Sequence, residues 1–252
     1  MTPQLLRIAS LAAPPLALAA TRVKALRPLA ATAVALHACA LYGTLSQRSN
    51  LLGRAVRRFR TDAPEVWLTI DDGPHPQRTP ELLATLARRQ ARATFFLIGA
   101  QAEDHPQLVR EILAAGHSVG NHSYTHPQYS FWQASPALVA REIDRASEAL
   151  AGVCGAAPAQ FRAPVGHTPP LLREILAARG MRLIGWSASG RDGVDRNPRR
   201  VLARLARRLA PGAIVVIHDG GPLAPRILDG LLDELDARGL RTVLPAPDRL
   251  IF

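Results

Sequence analysis

The sequence predicts an α/β fold: about seven parallel strands alternating with six helices, closed into a (β/α) barrel, behind an apolar N-terminal membrane segment. Three observations carry that expectation. From Glu65 onward, short β-branched or aromatic runs alternate with longer helical patterns, an order that gives mostly parallel sheets. Polar clusters close five of those runs, and a parallel barrel gathers all its strands' C-terminal ends at one face. Apolar stretches mixed with basic residues fill the first sixty positions.

The strands are expected at Glu65–Ile70, Ala93–Ile98, Ser118–Asn121, Gln160–Ala163, Arg182–Trp186, Ala213–Ile217 and Arg241–Leu244. The helices between them are marked by their ends. Thr79-Pro80, Ser135-Pro136, Thr168-Pro169 and Asn197-Pro198 each set a side-chain acceptor before a proline suited to the first helical turn. Gly116, Gly180 and Gly239 follow closing turns and fit left-handed C-caps. Inside the helices, Leu108, Ile112 and Leu113, or Ile227, Leu231 and Leu235, form apolar stripes. An open doubly wound sheet satisfies the same alternation. It would spread Asp71-Asp72, His122, Arg162, Trp186-Ser187 and His218-Asp219 along a wide edge, whereas a barrel brings them within reach of one substrate.

Of 31 basic residues, nine precede Asp62, the first acidic residue, leaving 22 basic against 20 acidic residues in the remainder. The formal charge of +11 therefore belongs mainly to the leading segment. Without clustered charge joined to aromatic or motif support, this distribution argues against a nucleic-acid partner. Basic residues flanking apolar stretches fit a membrane surface instead.

Two apolar stretches, Ile8–Ala20 and Leu29–Leu45, flank the basic linker Thr21–Pro28. The first is broken by Pro14-Pro15; the second approaches the length of a spanning helix. A single anchor, a helical hairpin and a cleaved signal peptide are all compatible with this pattern, and a disordered Ala-rich leader is the plainer alternative. The basic linker before the second stretch favours a cytoplasmic linker. It expects an inner-membrane anchor with the following domain on the periplasmic side, or secretion if the leader is cleaved. The chain thus divides into residues 1–60, the anchor or signal region, and 61–252, the globular domain. Cys39 and Cys154 lie one in each part and form no metal-thiolate pattern, so both read as small apolar fillers.

Adjacent buried carboxylates are tolerated where a cation or shared proton absorbs their charge, so Asp71-Asp72 with His122 and His126 downstream predicts a metal site. The two imidazoles are four positions apart, the spacing that shares one face of a helical turn. One carboxylate and two imidazoles leave a coordination position open for water or substrate, which suits catalysis. Zinc is the first expectation; cobalt, nickel and manganese accept the same donors. Read singly, Asp72-Gly73-Pro74 is a turn, Arg162-Ala163-Pro164 a strand end with a snorkelling arginine, and Asp219-Gly220-Gly221 a loop.

Read together, Thr69-Ile70-Asp71-Asp72-Gly73-Pro74, His122-Ser123-Tyr124-Thr125-His126, Arg162-Ala163-Pro164-Val165-Gly166, Trp186-Ser187 to Asp192 and Ile217-His218-Asp219 resemble, in order and spacing, the polysaccharide deacetylase family of NodB-like domains, carbohydrate esterase family four. The resemblance runs from Glu65 to Leu244. It implies a distorted (β/α) barrel of about seven strands, with Asp71 as general base, Asp72, His122 and His126 as metal ligands, and His218 as general acid. Arg162 would pair with Asp71, and Asp192 would orient His218. Amide hydrolysis needs these roles: a metal to polarise the carbonyl, a base for water, an acid for the leaving amine, and donors for the oxyanion. The backbone after Pro164 is a candidate donor.

The implied activity is metal-dependent removal of N-acetyl or O-acetyl groups from an acetylated amino-sugar glycan. Alternatives are the same chemistry on a lipid-linked amino sugar or small amide, or a noncatalytic glycan-binding protein. The sequence departs from the family pattern at Val165, Ser189, Gly193 and Val216, which leaves the groove wall less aromatic; Trp132 or Trp186 could supply a stacking face. Among the other histidines, His37, His75, His105 and His117 read as surface, packing or cap residues, and His167 is the one expected to border the cleft.

Overall fold

The computed structural model describes residues 3–46, 49–52 and 54–251, with side chains from residue 12 onward. Two helices lead, α1 (Pro3–Arg22) and α2 (Arg27–Leu45), joined by a 3-10 turn at Lys24–Leu26. They pack on each other through small residues, Ala13 and Ala20 on α1 and Ala30, Ala33 and Ala40 on α2. Leu18, Leu29, Val34 and Tyr42 face outward. The expected break at Pro14-Pro15 does not occur, and α1 runs through both prolines. Close packing against an alanine-lined neighbour is the setting in which a helix tolerates the lost backbone hydrogen bonds. The span Lys24–Leu45 has 22 residues at hydropathy 1.4, long and apolar enough to cross a bilayer.

Beyond the helices the described residues form ten strands: β1 (Arg58–Phe59), β2 (Glu65–Gly73), β3 (Ala93–Leu97), β4 (Ser118–Asn121), β5 (Gln160–Phe161), β6 (Arg182–Leu183), β7 (Ala188–Ser189), β8 (Ile214–His218), β9 (Arg241–Thr242) and β10 (Leu250–Ile251). Eight form one curled, all-parallel sheet in the order β6-β5-β4-β3-β2-β8-β7, with β9 on the first residues of β2. This is a half-barrel, distorted as expected. Four strands, β3 by one residue and β5, β6 and β9 by more, are shorter than their sequence patterns, and β7 is an addition. At β6 the cause is visible: the Ile184 and Gly185 carbonyls accept the Arg162 guanidinium.

No ladder joins the edge strands β6 and β7 among the described residues. At the lower pole the gap is filled by the chain arriving from α2. Val56 bridges to Ile184 and Arg58 to Ala213, with Val56 N–H donating to Leu183 O, Gly185 N–H to Val56 O and Phe59 N–H to Gly212 O. β1 then pairs antiparallel with β10. Val56 and Phe59 are buried with Trp67, Phe96, Ile184 and Ile214. The segment just before residue 61 is therefore packed into the barrel.

Alternation along β2 separates two layers. Val66, Leu68 and Ile70 join the core shared with the outer helices α3 (Arg78–Arg88), α5 (Pro106–Ala114), α8 (Pro198–Ala206) and α9 (Ala224–Ala237). Trp67 lies in the barrel interior, and Thr69 and Asp71 follow it in the same row, climbing from apolar plug to carboxylate. Two further helices, α6 (Pro136–Cys154) and α7 (Leu172–Ala177), pack with β5 and β6, and α4 (Gly99–Asp104) follows β3.

The helix ends agree with the sequence where the cap is used locally. Ser135 Oγ accepts from Leu138 N–H, Asn197 Oδ1 accepts from Arg200 N–H, and Gly116, Gly180 and Gly239 sit at φ +79°, +65° and +64°. Two expected caps are diverted. Thr79 lies inside α3, its hydroxyl accepting from His75 N–H and donating to Asp219. Thr168 precedes α7 by several residues, and its N–H reaches Thr44 O of α2 at 2.8 Å.

Candidate active site

Consecutive strand residues point to opposite faces, so Asp71 and Asp72 could not both reach one cleft from a regular strand. The β2–β3 register shifts between Asp71 and Gly73, and Asp72 takes φ +72°. This bulge re-aims Asp72 to the side Asp71 already faces. Gly73 is required next: a Cβ there would lie 2.7 Å from Asp219 Oδ2.

Asp72 Oδ1 lies 3.3 Å from His122 Nε2 and 3.3 Å from His126 Nε2. His122 follows β4, and its Nδ1 is 2.8 Å from the Arg162 carbonyl. A carbonyl only accepts, so Nδ1 carries the proton and Nε2 turns its lone pair toward Asp72. Burial, then the neighbouring His122, pushes His126 down to about 4, which leaves it neutral. Its Nε2 and Asp72 Oδ1 are buried without a hydrogen-bond partner. Asp72 Oδ1, the His122 Nε2 lone pair and His126 Nε2 converge in one small space, two of them buried without a hydrogen-bond partner, an arrangement that suits a divalent cation. The donor set of one carboxylate and two imidazoles fits the expected metal.

The histidines sit on a tight loop, not a helical turn. Ser123 and His126 take φ +66° and +51°, outside the regions most side chains favour. Glu142 of α6 holds the loop, accepting from Tyr124 N–H at 3.1 Å, Thr125 N–H at 2.8 Å and the Thr125 hydroxyl at 3.0 Å. The sequence did carry a signal for Glu142: an acid standing within the buried row Val139, Ile143, Ala146 and Leu150.

Arg162 follows β5 and fills the barrel axis, fully buried, its guanidinium carbon 4.2 Å from the Phe96 ring centroid. Nη1 donates to Asp71 Oδ1 and to Thr69 Oγ1, both at 2.7 Å, and Nη2 donates to Gly185 O at 3.0 Å. One Asp71 oxygen is thereby engaged; the other, Oδ2, lies 3.9 Å from His122 Nε2. Arg162 thus supports Asp71 through its side chain and His122 through its backbone.

His218 ends β8, in register with Asp71. Asp192 accepts from His218 N–H at 2.7 Å and lies 3.0 Å from its Nδ1, so Nε2 is left for the cleft. Burial would lower the imidazole pKa, but the Asp192 charge and hydrogen bond, followed by the charges of Asp71 and Asp72, raise it to about 9. Next to it Asp219 is buried, its carboxyl pushed up to about 6 by burial against the lowering Thr79 contact, with Oδ1 unpartnered.

The polysaccharide deacetylase profile matches residues 59–184. A chitooligosaccharide deacetylase of Sinorhizobium fredii is 41% identical over 174 residues, 67% of this chain and 78% of the relative. The chain belongs to the polysaccharide deacetylase family. Among solved structures, a family 4 carbohydrate esterase from Streptomyces lividans in complex with acetate superposes with TM-score 0.67 at 33% identity, covering 74% of this chain and 96% of that one. The Bc1960 peptidoglycan N-acetylglucosamine deacetylase gives 0.71 at 28% identity, covering 77% and 91%. This deacetylase is accordingly a hydrolase of carbon–nitrogen bonds other than peptide bonds.

The deacetylase cleft, about 710 Å³, is lined by Asp71, Asp72, His122, His126 and His218 at its floor. Trp186, half-buried, is its aromatic wall; Trp132 does not line it. Three of the departures from the family pattern, Val165, Ser189 and Gly193, also line it, while Val216 is buried within β8. His167 borders the cleft. His117 packs on Phe95 with ring centroids 5.5 Å apart, and burial, then Arg92, lowers it to about 4. After Pro164, the Gly166 and His167 amides are engaged by the Ala163 and Pro164 carbonyls within the turn, which removes both as oxyanion donors.

Proposed function

We propose that this deacetylase hydrolyses N-acetyl amides of amino-sugar glycans, and O-acetyl esters by the same route, with a divalent metal, zinc first, held by Asp72, His122 and His126. The observation that carries this reading is the register pairing of Asp71 and His218 on adjacent strands, each fixed by its own partner, above those three donors. A bound divalent ion supplies polarisation of the amide carbonyl and acidification of water. Asp71, one oxygen held by Arg162, takes a proton from the attacking water on its other oxygen. His218, its Nδ1–H held by Asp192, gives a proton from Nε2 to the departing amine as the C–N bond breaks. Acetate and a free amino sugar leave, and Trp186 offers a face on which the sugar ring can stack.

The experiment is acetate release from N-acetylglucosamine oligomers by the full-length protein after chelation and after zinc or cobalt is restored. Release that requires metal and is lost in Asp71→Asn is expected; metal-independent release, or full activity in that variant, would overturn the assignment.

In the same reading α2 anchors the chain in the inner membrane, and the catalytic unit begins near Arg54, because Val56 and Phe59 are part of the barrel. The basic linker Arg22, Lys24 and Arg27 stays cytoplasmic and the barrel faces the periplasm. Arg58 on the far side donates to Pro211 O and belongs to the folded part, which translocates with little regard to charge. Alkaline extraction and a periplasm-dependent reporter fused after the barrel test the anchor and its side.

A further inference from the structure

The cleft is built from more than the barrel. The end of α2, Leu45, together with Ser46, lines the same cavity as Asp72 and His218. The joint is specific: Thr168 N–H donates to Thr44 O, and Gly43 packs on Leu51 and Leu52 closely enough that a Cβ would lie 3.1 Å from Leu52 Cγ. If α2 lies in a bilayer, the cleft opens at its surface.

The charge of the wall is the second observation. Arg57, Arg191 and Arg208 line the cleft, and among the described residues its carboxylates are Asp71 and Asp72. Asp71 is neutralised by Arg162, and Asp72 faces the proposed metal. Arg57 donates to Asn50, while Arg191 and Arg208 have no salt-bridge partner among the described residues. Neighbouring arginines do have such partners: Arg200 and Arg204 both pair with Asp195. Two guanidinium groups at one cavity, Arg191 and Arg208, without a salt-bridge partner among the described residues raise the local concentration of anions. Arg191 is also held at φ +61° beside Asp192, a backbone state that costs energy. Between the arginines, Leu45, Val165 and Val194 present apolar surface, 42%, 45% and 79% exposed.

We propose that the substrate is an acetamido sugar carrying a phosphate or diphosphate on its anomeric oxygen and held by that phosphate on a membrane lipid. The chemistry of the sugar fits. In a 2-acetamido sugar the anomeric carbon is bonded to the carbon bearing the amide, so an acetamide over the metal donors places the anomeric substituent against the adjoining wall. Guanidinium groups recognise phosphate oxygens there through paired charge-assisted hydrogen bonds. The apolar rim and the end of α2 accommodate the start of the lipid chain. This deepens the proposed deacetylation and rests on it for turnover.

The test uses the full-length, metal-restored protein in nanodiscs and three probes sharing one reacting group: a neutral N-acetylglucosamine oligomer, N-acetylglucosamine 1-phosphate, and polyprenyl-phosphate-linked N-acetylglucosamine in the same bilayer. The expected order of kcat/KM is lipid-linked, then soluble phosphate, then neutral, with about tenfold between phosphorylated and neutral probes. Arg191→Gln with Arg208→Gln should bring that preference toward one and flatten its salt dependence. Equal or faster turnover of the neutral oligomer would overturn the proposal and leave the deacetylase reading intact. Equality of the soluble and lipid-linked phosphates would overturn the lipid carrier. Binding of the 1-phosphate to Asp71→Asn, measured by calorimetry, reads the wall independently of turnover. No acetate from any probe, with tighter binding of the 1-phosphate than of the neutral sugar, would support the anionic wall and overturn the deacetylation reading; weaker or equal binding would overturn the wall.

Discussion

The two poles of the barrel handle charge in opposite ways. At the lower pole Glu65 is buried yet saturated: its oxygens accept from Arg241 at 2.8 Å, Arg249 at 2.6 Å and Thr61 at 3.0 Å. The Arg249 hydrogen bond most of all, against opposing burial, pushes Glu65 down to about 2. At the upper pole Asp72 Oδ1, His126 Nε2 and Asp219 Oδ1 are buried without partners, and Asp72, Ser123, His126, Val165 and Arg191 all take left-handed backbone angles. One end pairs its buried charge and so contributes stability; the other gathers unpaired buried atoms and strained backbone, as functional sites do.

That contrast can be broken from either side. The largest effect is expected at the upper pole, where Asp71→Asn should lower kcat by roughly a thousandfold or more while circular dichroism stays that of a folded barrel. Asp192→Asn comes next, with a loss of about ten- to a hundredfold. His218 loses its strongest upward influence in that variant, so the alkaline limb of kcat/KM should move to lower pH. An unmoved limb would show that another group controls it.

Metal separates the poles thermodynamically. A cation at a hundred times its Kd should stabilise the wild type by about 2.7 kcal/mol. His126→Ala should lose that gain and melt no lower than the metal-free wild type, since it removes a buried unpaired atom. Glu65→Gln should do the reverse, costing about 1 to 2 kcal/mol of stability with little change in kcat at 25 °C. Because Glu65 is depressed in the folded state, its contribution is present above its ordinary value of 4.5 and lost as pH falls toward 2. A urea midpoint measured across that interval should slope in the wild type and flatten in Glu65→Gln. The smallest effect is expected from Asp219→Asn. Burial raises Asp219 to about 6, so its ionisation costs stability as pH rises from 3.8 through 6. The variant should gain up to about 1 kcal/mol at pH 8 relative to pH 4, provided the amide oxygen keeps the Thr79 hydrogen bond.

How much of this was legible in the sequence divides along the same line. Asp71, Asp72, His122, Arg162 and His218 stand at strand ends and His126 on the loop after one, where strand periodicity and local motifs locate them, and the structure brings all six together with Asp192. What escaped depends on distant pairing. The bulge at Asp72 is a property of the β2–β3 register, and Glu142 serves a loop 17 residues upstream of it. Thr79 reads locally as a cap because Asp219, its actual partner, is 140 residues away. Strand β6 comes out shorter than its run because the Arg162 guanidinium takes the Ile184 and Gly185 carbonyls that would have continued the ladder. Pro14-Pro15 reads as a break because local propensity takes no account of a neighbouring helix.

If α2 anchors the chain as proposed, the stave formed by Val56 to Phe59 bears on how the enzyme could be shed from a membrane. A protease acting between the end of α2 and Val56 would release an intact barrel into the surrounding fluid. A cut only a few residues later would leave Leu183, Gly185 and Gly212 without their backbone partners and the seam between β6 and β8 open. The interval in which the protein can be detached and still fold is therefore about ten residues wide, from Leu45 to Val56.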